Sequence, residues 1–153
     1  MAKPIPDGYH TVTPSLTVRG ADRAIAFYRR AFGAEERVRM PSADGTKVMH
    51  AEIRIGDSNV MLSDEFPEMG SRSPEALGGT PGSLFLYVQD VDQVFARAVE
   101  AGATVRLAVH DAFWGDRFGV VVDPFGHQWG LATHKEDLTP DQIRARAQKT
   151  GHA

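Results

Sequence analysis

Apolar and polar residues alternate along residues 13–18, with Leu16 and Val18 on one side and Thr13, Ser15 and Thr17 on the other. This period of two predicts a short strand, and Pro14 places its start or an edge there. The period then changes. In ADRAIAFYRRAFGAEE, Ile25, Tyr28 and Phe32 recur at helical spacing, widened by Ala24, Phe27 and Ala31. Asp22 suits the N-cap or first turn, and Gly33 suits the position just past the end. A strand over residues 36–40 and a polar turn follow. Residues 47–55 alternate again, with His50, Glu52 and Arg54 on one face and Ala51, Ile53 and Ile55 on the other. Gly56-Asp57-Ser58 turns this strand into another over residues 59–63. Residues 64–82, rich in Gly, Pro, Ser and Glu, predict a mobile surface loop.

The pattern then repeats. A shift of 70 residues sets Leu16 on Leu86, Val18 on Val88, Asp22 on Asp92, Ile25 on Phe95 and Gly56 on Gly126. Each half reads strand, helix, then three strands, so the chain is an internal duplication. The second half closes on a hairpin, in which Val120–Val122 and residues 127–133 flank the turn Asp123-Pro124-Phe125-Gly126. In the tail, Thr139, Pro140 and Gln142 form a capping-box start for a last, weakly amphipathic helix.

Composition narrows the function classes. The 153 residues, 42% of them hydrophobic, suffice for one compact domain. No apolar run is long enough for a transmembrane helix, and the N-terminus lacks a signal-peptide core, so a cytoplasmic protein is expected. With no cysteine, disulfides, thiolate catalysis and Cys-ligated zinc are excluded. A net charge of −3 offers no broad basic surface for nucleic acid. The expected partners are a small molecule and a second copy of the chain, not nucleic acid or a membrane.

The duplicated βαβββ pattern, HAEIRIGDSNVMLSDE and FWGDRFGVVVDPFGHQWGLATHKEDLTP together resemble the vicinal oxygen chelate superfamily, which includes glyoxalase I, bleomycin- and fosfomycin-resistance proteins and extradiol dioxygenases. The nearest resemblance is to its small PhnB-like branch. It implies an α+β fold: tandem βαβββ modules forming an open, cup-shaped mixed sheet with helices outside. Residues 10–135 then form a single domain of two halves, about 10–64 and 82–135, with a linker at 65–81 and a helical tail at 136–153. Leu16, Val18, Ile53, Ile55, Leu84, Leu86 and Val88 should face the helices. Thr13, Ser15, His50, Glu52, Ser83, Phe85, Tyr87, Val120, Val122, Gln128 and Gly130 should face the cup. The resemblance also implies a homodimer.

Metal-dependent relatives place four ligands in the cup. Carried onto this chain, those positions are Thr13, Val60 or Met61, Ser83 and Gly130. None is an imidazole, carboxylate or thiolate, so no metal and no other cofactor is expected there. His50 and Glu52, two apart on one strand, can serve as a base and its orienting partner, or simply as a solvated, salt-bridged face. Asp116 and Arg117 can form an ion pair gripping a substrate at the cup mouth, or tie a loop to the sheet. Trp114 and Phe113 can stack on a planar ligand or pack locally. His10, His110, His127 and His134 lie in the arm, at strand ends or in a turn, and carry little chemistry. No P-loop or nucleophile elbow is present.

Three functions follow. The first is a cup that binds a small aromatic or antibiotic-like molecule through Thr13, Ser83, Phe85, Tyr87, Trp114, Asp116, Arg117 and Gln128. The second is a metal-independent lyase or isomerase that moves a proton with His50 and Glu52. The third is a metal-dependent lyase or dioxygenase with a shifted ligand set.

Overall fold

Pro14 has no N–H to give a ladder, and β1 begins just after it, at Ser15–Val18, two residues later than the pattern suggested. The Pro14 carbonyl still accepts from Met61 N. In this computed structural model, which describes residues 1–151, α1 (Ala21–Phe32) follows and buries Ala24, Ile25, Tyr28, Ala31 and Phe32. Gly33 closes it in the left-handed region. Asp22 is not its cap. The Gly20 and Ala21 N–H groups both donate to Asp64 Oδ1, at 2.8 and 2.9 Å, and Asp22 instead pairs outward with Arg39.

Strands β2 (Glu35–Pro41), β3 (Val48–Ile55) and β4 (Ser58–Asp64) run antiparallel, and β1 returns parallel to β4, giving the order β1-β4-β3-β2. The second half supplies β5 (Ser83–Tyr87), α3 (Val91–Ala101), β6 (Thr104–Asp111), β7 (Asp116–Val122) and β8 (Gln128–His134). Its sheet has the order β5-β8-β7-β6, which is the first order with every label raised by four. The duplication thus appears as two four-stranded mixed sheets, each backed by a helix and not closed into a barrel.

The segment expected to be a mobile loop is anchored. It holds a single turn at Pro67–Met69 and the short helix α2 (Pro74–Leu77). Ser73 is fully buried, caps Ala76 N, and donates both its hydroxyl and its N–H to Glu65 Oε2. Glu65 also accepts from Arg19 Nε at 2.7 Å. These donors, with Ser73 first, hold its carboxyl down at about 2. In the tail, α4 (Pro140–Lys149) starts on the expected capping box: Thr139 Oγ1 accepts from Gln142 N, and Gln142 Oε1 accepts from Thr139 N. His152 and Ala153, the end of the expected tail, lie outside the described residues. No helix among the described residues is long and apolar enough to cross a membrane.

The halves share one core. Helices α1 and α3 pack together, and Phe27, Tyr28 and Phe32 of α1 meet Phe125 and Trp129 of the second half. Asp123, almost completely buried, sits at this junction and accepts four hydrogen bonds. Phe125 N and His127 N reach Oδ1, while Tyr28 O–H (2.6 Å) and Trp129 Nε1–H (2.9 Å) reach Oδ2. From the same turn, the His127 ring bonds to Thr17 O of β1 at 2.9 Å. Removing the carboxylate strands two buried side-chain donors, so Asp123→Ala should lose roughly 2–5 kcal/mol and Tyr28→Phe roughly 1–2 kcal/mol. Urea denaturation measures both, and a loss below about 1 kcal/mol for Asp123→Ala would show that this turn does not hold the halves together.

Candidate binding site on the open faces of the sheets

Each sheet turns one face to the helices and leaves the other open, and the β alternation decides which side chains stand on each. On the first sheet, Leu16, Val18, Ala51, Ile53, Val60 and Leu62 are buried, leaving Ser15, Thr17, His50, Glu52 and Met61 on the open face. The register pairs Glu52 with Met61, so Met61, and not the buried Val60, occupies the family ligand position. His50 Nε2 lies 3.0 Å from Glu52 Oε1. The other carboxylate oxygen accepts from the Tyr9 hydroxyl. The His50 bond and then the Tyr9 bond lower the Glu52 carboxyl, while donation to Glu52 pushes the Tyr9 phenol up to about 12. Tyr9 belongs to an N-terminal arm, residues 1–14, that crosses this face and leaves a cleft of about 560 Å³ lined by Pro4, Ile5, Pro6, Tyr9, Thr13, Glu52 and Met61.

The open face of the second sheet is aromatic. Phe85 and Phe118 stack with centroids 5.4 Å apart and planes 9° from parallel. Trp114 abuts Phe118 edge-on at 5.3 Å, Tyr87 flanks Phe85 at 5.1 Å, and His110 meets Phe118 at 6.2 Å. Gly130 lies beneath the stack. A Cβ at that position would stand 2.7 Å from Phe85 Cδ2 and 3.2 Å from Phe118 Cε2, so glycine is what lets the two rings settle on the sheet.

Asp116, nearly buried, fixes the edge of this wall. Its Oδ2 accepts from Trp114 Nε1–H at 2.9 Å and from Tyr87 O–H at 3.2 Å. Its Oδ1 lies 2.7 Å from His134 Nδ1, and His134 Nε2 lies 2.9 Å from Asp137 Oδ1. Ionised carboxylates only accept, so the two bonds together require an N–H on both ring nitrogens, which is an imidazolium. Asp137 and then Asp116 accordingly raise the His134 pKa. The chain after β8 is thereby clamped to the wall, and Lys135 N and Glu136 N also donate to Gly115 O. Gly115 has φ 101°, and a Cβ there would meet Glu136 O at 2.6 Å.

The residues expected in the cup are carried by both sheets. His50 and Glu52 meet on the first sheet; Phe85, Tyr87, Trp114 and Asp116 meet on the second. Thr13 borders the arm cleft and also a smaller one reaching Phe85. Ser83 and Gln128 pair with each other at the far end of the second sheet, six residues, or about 20 Å, along β8 from His134. Gln128 donates there to Thr80 O. The expected Asp116–Arg117 pair does not form. Neighbours on a strand point to opposite faces, and Arg117 turns away from the wall to pair with Asp92 at 2.7 Å and Asp111 at 3.1 Å. Phe113 packs edge-on against Trp114. Tyr9 and Phe118 were not singled out from the sequence, and His134 was set aside there as a strand-end histidine. Of these, only Phe118 had a local signal, its place two residues from Asp116 and from Val120 on an alternating strand.

Residues 9–131 match the glyoxalase/bleomycin resistance protein/dioxygenase superfamily. The chain belongs to that superfamily. An uncharacterised Mycobacterium bovis protein, Mb0911c, is 47% identical over 143 residues, covering 92% of this chain and 93% of its own. The X-ray structure of the Arabidopsis thaliana At5g48480 product is 28% identical with TM-score 0.64, covering 81% of this chain and 98% of that one. A PhnB protein from Bacillus cereus, 19% identical with TM-score 0.62 over 81% of this chain and 99% of that one, shares the fold. The superfamily's usual metal position does not fit a cation here. Its four residues are Thr13, Met61, Ser83 and Gly130, whose hydroxyls, thioether and missing side chain cannot hold a divalent ion. Nor do three or more His, Asp or Glu residues gather as a shifted ligand set among the described residues.

The clamp predicts a pH response. A raised folded-state pKa means that His134 contributes fully below its unfolded value of 6.5 and loses that contribution as pH rises through the folded value. In NMR titrations the His134 midpoint should lie above 6.5, the Trp114 indole N–H should follow it, and Asp137→Asn should move it back towards 6.5. A midpoint at or below 6.5 would show that the clamp does not form in solution.

Proposed function

We propose that this superfamily member is a binding protein that takes a small planar aromatic molecule, of the kind many antibiotics contain, against Phe85, Phe118, Trp114 and Tyr87. The wall is the observation that supports this reading. Asp116 turns the polar atoms of Trp114 and Tyr87 inward, so these rings are held with little freedom left to lose when a ligand stacks on them. Each good ring contact adds about 0.5–1.5 kcal/mol beyond the area buried. Thr13 extends the site towards the arm, Ser83 and Gln128 continue the same face beyond Phe85 and Gly130, and Arg117 turns to the other face. A homodimer, as the family resemblance implies, accompanies the proposal.

Trp114 supplies the test, because Trp129 is fully buried and tied to Asp123. A planar ligand should quench Trp114 fluorescence, Phe118→Ala should weaken binding about tenfold, and Trp114→Phe should remove the signal. No binder tighter than about 1 mM in a broad panel of planar drugs and metabolites would sink the reading. Sedimentation should give twice the 16.7 kDa chain mass.

One observation supports a second reading, a metal-independent lyase or isomerase. Glu52 Oε1 lies 3.0 Å from His50 Nε2, so the carboxylate can orient the imidazole and leave Nδ1, which has no hydrogen-bond partner among the described residues, to face a substrate. Under that reading, His50→Ala and Glu52→Gln keep the melting temperature and abolish turnover. Unchanged activity in both would remove these residues from the chemistry.

A further inference from the structure

The repeat carries a β-bulge in each half, and the two copies differ in what they leave unpaired. In the first half, Arg37 is the extra residue of β2, between the Glu36–Ile53 and Val38–Glu52 pairs. In the second, Arg106 is the extra residue of β6, between Val105–Val121 and Leu107–Val120. The one-residue offset that sets Gly33 on Gly102 also sets these two arginines on each other, and Glu35 on Thr104. Arg37 pairs with Glu35 at 3.4 Å. Arg106 has a threonine where that carboxylate would stand, and it makes no ion pair or hydrogen bond among the described residues. A bulge re-aims the side chain of its extra residue, and this one carries a charge with no partner.

Arg106 lines a cleft of about 610 Å³ between the end of the second sheet and the segment that carries α2, a volume that suits a small molecule. The register puts Thr104, Val122 and Gln128 in one row across β6, β7 and β8, so a hydroxyl and an amide stand on either side of an apolar floor. The Thr104 hydroxyl has no hydrogen-bond partner among the described residues. Gln128 gives one N–H to Thr80 O at 3.4 Å and keeps the other. The two carboxylates on the cleft are already spent. Asp123 accepts its four hydrogen bonds, and Glu75 pairs with Arg19 Nη1 at 3.2 Å. A free guanidinium beside neutral donors matches the paired oxygens of a carboxylate.

We propose that this cleft binds a small organic carboxylate, which takes for Arg106 the place that Glu35 fills for Arg37. Arg106 supplies the charge, Thr104 and Gln128 the neutral hydrogen bonds, and Val122 and Pro124 an apolar seat for the rest of the molecule. The site does not rest on the aromatic wall, and it stands if that wall proves to bind nothing.

The probe is benzoate, with benzamide as the same ring without the charge. Both are titrated by NMR into the full chain and into Arg106→Gln, Thr104→Glu and Arg97→Gln. Benzoate should bind tighter than about 10 mM and shift the amides of Thr104, Arg106, Val122 and Gln128, whereas benzamide should leave these amides in place. Arg106→Gln should weaken benzoate about tenfold, the worth of one bond to a charged group. Thr104→Glu rebuilds the ion pair of the first half and should weaken it as much. Both residues are exposed, so neither variant disturbs the core. Arg97→Gln removes the same charge from another arginine with no partner among the described residues, and should leave the affinity unchanged. No shift at these amides, equal binding of benzamide there, or an equal loss in Arg97→Gln would overturn the proposal. So would benzoate shifts confined to Trp114 and Phe118, which would report the aromatic wall instead.

Discussion

A buried carboxylate is costly unless every acceptor position is used, and Asp123 meets that condition only when both halves of the chain are in place. Its own turn supplies two backbone donors, Trp129 supplies a third, and Tyr28 of the other half supplies the fourth. The aromatic core of Phe27, Phe32 and Phe125 closes around this point, so the packing of α1 against the second sheet depends on a charge that neither half could bury alone. The duplication does not repeat the device. At the 70-residue shift, Asp123, Tyr28 and Trp129 correspond to Ile53, Ala98 and Asn59, none of which can form it.

A second break in the repeat makes room for the site. Asp64, at the end of β4, caps α1 and also accepts from Val48 N, so it is committed to the fold. Its counterpart at the end of β8 is His134. Helix α3 is capped instead by Asp90, which accepts from Gln93 N, and by Thr133, whose Oγ1 accepts from Val91 N. Position 134 is thereby released from capping, and His134 joins Asp116 and Asp137 beside the aromatic wall. Gly130 completes the divergence. Where metal-binding relatives place a ligand, this chain has no side chain, and two stacked phenylalanine rings occupy the space.

Much of this was legible in the sequence because it rests on local periodicity. Strand alternation placed His50 and Glu52 on one face, helical spacing outlined α1, and the capping box of α4 was visible as Thr139 and Gln142. The repeat showed the same order of elements in both halves, strand, helix and three strands, while the order of strands within each sheet came from the structure. What was not legible depends on contacts between distant residues. Tyr9 and Glu52 are 43 residues apart, Tyr28 and Asp123 are 95 apart, and no spacing rule connects either pair. Arg117 shows a different limit. Its neighbour Asp116 suggested a pair, but the pleat separates adjacent side chains, and two other carboxylates lay within its reach on the opposite face. The 64–82 segment had the composition of a free loop, yet a buried serine bonded to Glu65 anchors it.

The two open faces divide the chemistry. The second sheet offers rings whose polar edges are already spent on Asp116, so it suits shape and stacking and has little means of attacking a bond. The first sheet offers a carboxylate-oriented imidazole, which is the only reactive arrangement among the sequence-predicted site residues, but Tyr9 lies across it. Tyr9 reaches only Glu52 of this pair, and the His50 side chain keeps 36% of its surface exposed. The order of preference between binding and catalysis follows from this. The aromatic wall is ready as it stands, whereas one oxygen of Glu52 in the His50–Glu52 pair is already spent on the Tyr9 hydroxyl.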